Sequence, residues 1–77
     1  MQERIKEIMA KVFNIPVDTI ADDISPDDVE AWDSLRHMHL VIALEEEFSV
    51  EFGDQQIMDM MNLPLIVITV GELTGNA

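Results

Sequence analysis

The chain contains no cysteine. That absence excludes disulfides, thiolate metal sites and a thiol nucleophile carried by the protein itself. Basic residues are scarce: four Lys and Arg stand against sixteen Asp and Glu, for a formal charge of −12 and a pI near 4.1. A chain this acidic is repelled by nucleic acid and by anionic membranes, and it attracts basic protein partners in a salt-dependent way. Long apolar runs are missing as well. The longest, from Leu63 to Val70, falls far short of the roughly 20 residues a membrane span needs. The opening "MQERIKEIMAKVF" interleaves charged and apolar side chains, unlike a signal peptide. A monomeric cytoplasmic protein is expected, with no nucleic-acid partner and no membrane span.

At 77 residues the chain is expected to form one domain, residues 1–77, and to bury only about 60% of its unfolded surface. A hydrophobic fraction of 48% favours a folded globule over disorder. No deep cleft and no nucleophile–base pair is expected, so an independent enzyme is not.

Ile5, Ile8, Met9, Val12 and Phe13 recur at helical spacing among charged residues, and Asn14 and Pro16 stop the pattern. From Asn14 to Asp33 no period persists. Ile15, Val17, Ile20, Ile24 and Val29 are expected to pin this stretch as an ordered loop, with a helical turn near Asp18 to Ala21. A second helix is expected from Asp33 or Ser34 to about Phe48, with Asp33 accepting the orphan amides of its first turn. Asp54 is expected to cap a third, short helix through about Asn62, with Met58, Met60 and Met61 filling the core. "LIVITV" has strand propensity but no second strand to pair with. A last helix from Val70 to Leu73, capped by Thr69 and stopped by Thr74, Gly75 and Asn76, is expected instead. The fold class is all-α: a small three- to four-helix bundle with a long ordered loop between helices one and two.

On the second helix two apolar stripes separate. Leu40, Val41, Leu44 and Phe48 should face the core, whereas Leu35, Met38 and Ile42 lie beside Ser34. One buried stripe suffices for a surface helix. The other either packs under the loop or forms an apolar patch open to a partner or an attached chain. His37 and His39, two apart, point away from each other on a helix, so no metal is expected there and both read as surface or half-buried residues. The aspartates of the loop do not follow a calcium-loop pattern.

With Trp32-Asp33-Ser34-Leu35 heading this helix, "ALEEEF" closing it and "ITVGEL" further on, the sequence resembles the acyl carrier proteins, in the "WDSL" form of specialised biosynthetic carriers. The resemblance implies that Ser34 carries 4′-phosphopantetheine, delivered from coenzyme A by a phosphopantetheinyl transferase, with Asp33 assisting that transfer. It implies a non-catalytic carrier of acyl or aminoacyl thioesters, and it accounts for the absent cysteines, because the thiol belongs to the arm. Fatty acid, polyketide, nonribosomal peptide and D-alanine pathways all use relatives of this shape. The resemblance further implies that Leu35, Met38 and Ile42 meet loading and elongating enzymes, and that Glu45, Glu46, Glu47 and Asp54 meet their basic patches. Physics agrees with the placement, since a helix N-terminus offers free amides and a positive dipole end to a phosphate.

Arg36, His37 and His39 depart from the acidic pattern common in the family, and the chain stops soon after Leu73. The competing reading is an acidic interaction or regulatory module with the carrier fold and no prosthetic group. An intact Asp33-Ser34-Leu35 argues against it.

Overall fold

The computed structural model describes residues 1–75. Helix α1 spans Gln2–Phe13 and buries Ile5, Met9 and Phe13, one residue per turn on one face. Asn14 ends it in the left-handed region at φ 56°, a conformation asparagine tolerates. The next amide, of Ile15, then bonds back to the Ala10 carbonyl at 3.1 Å.

The segment that follows has a single 3₁₀ turn, Val17–Thr19, in which the Thr19 hydroxyl donates to the Pro16 carbonyl at 2.7 Å. It is ordered because it is part of the core: Ile20, Ile24, Val29 and Trp32 are buried beside the helical residues. Its backbone is pinned at both sides. Asp22 accepts from Lys6 Nζ at 2.6 Å and from Gln2 Nε2 at 2.9 Å, and the Ile24 carbonyl accepts the Leu63 amide at 3.0 Å.

Helix α2 spans Ser34–Phe48 and buries Leu40, Val41 and Leu44. It runs antiparallel to α1. Arg36, near its start, donates from Nη1 to the carbonyl of Val12 in the last turn of α1, at 2.9 Å, while Glu47, near its end, pairs with Arg4 in the first turn. Those contacts gather the basic residues of the chain around one helix. Arg4, Lys6 and Lys11 belong to α1, and the Arg36 guanidinium reaches its C-terminal end.

Helix α3 is short, Asp54–Asp59, and buries no residue of its own. Asp54 does not cap it. Gly53 precedes it, and the Gln56 side-chain oxygen accepts the Gly53 amide at 2.8 Å. The helix also stops before Asn62, because that residue opens the next one.

Helix α4 spans Leu63–Thr74, seven residues earlier at its start than the sequence suggests, and its cap is Asn62, not Thr69. Asn62 Oδ1 accepts the Leu65 amide at 2.9 Å. Pro64 sits in the first turn, where a missing amide costs nothing. The β-branched run "IVITV" is helical since the backbone then satisfies itself, and no strand is present among the described residues. Thr69 spends its hydroxyl on the Leu65 carbonyl at 2.8 Å instead of capping. Gly75 ends the helix at φ 78°; the stop expected at Asn76 lies outside the described residues.

Candidate functional site: the start of helix α2

Asp33 holds an extended conformation, φ −101° and ψ −176°, and its Oδ1 accepts the Arg36 amide at 2.8 Å. Its carbonyl takes the His37 amide at 2.8 Å. The cap therefore leaves the neighbouring side chain alone. Ser34 is exposed as the first residue of α2, and among the described residues its hydroxyl makes no hydrogen bond with the rest of the chain. Among the described residues the amides of Ser34 and Leu35 are unclaimed too, at the positive end of the helix.

Beside Ser34 lies a groove of about 580 Å³. Trp32, His37 and Met38 line it from the α2 side, and Ile57, Met58 and Met61 line it from the α3 side. Met60 is fully buried, as expected, but Met58 and Met61 are exposed, at 69% and 43%. Met58 lies within α3 on its exposed face, and Met61 follows the early end of the helix at Asp59, so only Met60 turns towards the core. The two other methionines add to the exposed stripe of Leu35, Met38 and Ile42 on α2. The loop does not cover that stripe.

The acidic residues divide. Glu45 is half-buried and accepts the Phe52 amide at 2.9 Å, and Glu47 pairs with Arg4. Both serve the chain's own structure. Glu46 and Asp54 are exposed and make no side-chain hydrogen bond or ion pair among the described residues. His39 is exposed. His37, in contrast, is buried, with Nδ1 2.9 Å from Trp32 Nε1 and Nε2 2.8 Å from the Ile57 carbonyl. A surface or half-buried position had been expected. The signal for its burial was Trp32, whose indole N–H needs an acceptor once the ring is packed on Phe13 at a centroid distance of 5.1 Å. No cluster of residues able to hold a metal occurs among the described residues.

These features fit a phosphate ester at Ser34: a free hydroxyl, unclaimed amides beside it, and an apolar groove alongside. A family model described as a phosphopantetheine attachment site matches residues 3–70, which gives the class: a carrier bearing a 4′-phosphopantetheine group. The acyl carrier protein of Buchnera aphidicola from Schizaphis graminum is 41% identical over 56 residues, covering 71% of this chain and 70% of the relative. That of Buchnera aphidicola from Acyrthosiphon pisum is 39% identical over 56 residues, covering 73% and 70%. The solution structure of the holo acyl carrier protein from Geobacter metallireducens superposes with a TM-score of 0.86 over 96% of this chain and 85% of that one; at 24% identity this similarity concerns the fold alone. The chain belongs to the acyl carrier protein family, and its role is to carry acyl groups as thioesters.

Proposed function

We propose that the Ser34 hydroxyl is the oxygen to which the 4′-phosphopantetheine arm is esterified, and that the chain carries acyl or aminoacyl intermediates without catalysing their conversion. The observation that supports this is the exposed, unbonded Ser34 hydroxyl beside a cap made entirely by Asp33. Asp33 fixes the first turn, so the serine is presented on a rigid helix and not on a loop. The helix N-terminus stabilises the negative charge that the phosphodiester adds. The arm supplies the thiol for the thioester, which the protein itself lacks.

Partners in this reading are a phosphopantetheinyl transferase, which draws the arm from cytoplasmic coenzyme A, and loading and elongating enzymes with basic docking patches. Leu35, Met38 and Ile42 form the apolar centre of the docking surface. Glu46 and Asp54 supply charge that the fold leaves free, while Glu45 and Glu47 act there only as far as Phe52 and Arg4 release them. Asp33 serves twice, as the cap and as the carboxylate nearest in sequence to the reacting oxygen.

The test is loading. The protein is incubated with coenzyme A and a broad-specificity transferase, and its intact mass is measured beside a Ser34→Ala control. A mass gain in the wild type alone is expected. An equal gain in Ser34→Ala, or none in either with several transferases, would overturn the assignment.

A further inference from the structure

His37 is the one buried polar or charged residue among those described, and both of its ring nitrogens are engaged. An indole N–H only donates and a carbonyl only accepts. Nδ1 therefore accepts from Trp32, Nε2 donates to Ile57, and the imidazole is neutral with its proton on Nε2. Trp32 stands two residues before Ser34 and is itself fixed on Phe13 of α1. Ile57 lies in α3, on the other wall of the groove. One ring thus spans the groove between the segment that presents Ser34 and the helix that faces it.

Helix α3 has little else to hold it, with Ile57 its one apolar side chain packed, half-buried, against the core. It has six residues and no buried residue, far below the ~12–15 residues at which an isolated helix becomes even marginal. Among the described residues, the bond from His37 is the single hydrogen bond joining Asp54–Asp59 to a residue outside the continuous segment 53–61. We propose that His37 is a positioning residue for loading: its Nε2–H holds α3 in place and so keeps the groove formed beside Ser34. The inference rests on Ser34 being the attachment oxygen.

The dependence is testable because the two bonds can be removed separately. Glutamine at position 37 puts an amide N–H near the place of Nε2 and preserves the bond to Ile57. Asparagine puts its oxygen near Nδ1, preserving the bond from Trp32 and losing Ile57. Losing a buried hydrogen bond shifts a placement equilibrium roughly five- to tenfold. A partner that needs the placed form then binds more weakly by the ratio of the placed fractions, at most that factor, with turnover of the bound complex unchanged.

Steady-state loading by a transferase is therefore expected to show KM raised, by up to about five- to tenfold, in His37→Asn with kcat unchanged, and near the wild-type value in His37→Gln. Amide hydrogen exchange on the unloaded proteins is expected to quicken at Ile57 and Met60 in His37→Asn and not in His37→Gln. Nitrogen-15 NMR of the wild-type ring should place the proton on Nε2. A proton on Nδ1, a His37→Asn KM equal to wild type, or equal exchange in both variants would overturn the proposal. Failure of the Ser34 assignment reads differently: the wild type then takes up no arm at that residue, ending the loading role, while the exchange and tautomer results still decide whether His37 holds α3.

Discussion

The two sides of α2 are held in different ways. Towards α1, Leu40, Val41 and Leu44 are buried, with Arg36 tied to Val12 at one end of the pair and Glu47 tied to Arg4 at the other. Towards α3, one hydrogen bond from His37 crosses among the described residues, and Met38, Met58 and Met61 keep large exposed areas. The first side fixes a scaffold. The second is held by few buried contacts, the condition under which local opening is least costly, and its flexible methionine side chains suit contact with varied surfaces. The helix is rigid on one flank and adaptable on the other, with Ser34 at the boundary.

Paired substitutions can break this contrast. Leu44→Ala should destabilise the protein by about 2–5 kcal/mol, because the side chain is fully buried and its loss leaves a cavity. Urea unfolding measures it; a value near zero would mean that the α1 side is no more fixed than the other. Asp33→Ala should cost about 1 kcal/mol through loss of the bond to the Arg36 amide, and near-ultraviolet circular dichroism of Trp32 should report loosening next to Ser34. Ile42→Ala, at a half-exposed position, should change stability by less than about 0.5 kcal/mol. Its effect should appear in the affinity for the transferase, measured by titration calorimetry. A large stability loss would assign Ile42 to the core.

The smallest effect concerns pH. The hydrogen bond from Lys6, followed by the charge of Lys6, holds the Asp22 carboxyl below its ordinary range, and the same bond raises the Lys6 pKa. A lowered carboxyl pKa in the folded state means that the unfolded state binds the proton more readily. The contribution is present at neutral pH and is lost as the pH falls through that lowered pKa. Asp22→Asn should therefore lower the urea midpoint slightly at pH 7, and the difference should vanish in acid below the carboxylate range. A difference that persists there would show that Asp22 holds the loop without its charge.

Much of this architecture was legible locally. The spacing of Ile5, Met9 and Phe13 gave α1, and Asp33 before a periodic run gave the start of α2, since caps and periods act over one or two turns. The resemblance carried by Trp32-Asp33-Ser34-Leu35 pointed to the site. The start of α4 was hidden because Val and Ile favour strands, and what overrides that preference is the lack of a pairing strand together with a cap at Asn62. Exposure of Met61 depended on where α3 stops, which the sequence did not mark, and that of Met58 on which face of this short helix turns inward. The burial of His37 rests on Trp32, a signal near it in sequence, and on Ile57, twenty residues away, a contact that no local pattern reports.

The gathering of Arg4, Lys6, Lys11 and Arg36 around one helix has a consequence at long range. With a net charge of −12, the charged residues elsewhere are acidic, so the molecule is an electric dipole as well as an anion. A cationic body diffusing towards it feels a torque before it feels a contact, and turns to the pole remote from α1. Dissolved salt shortens the distance over which that alignment begins.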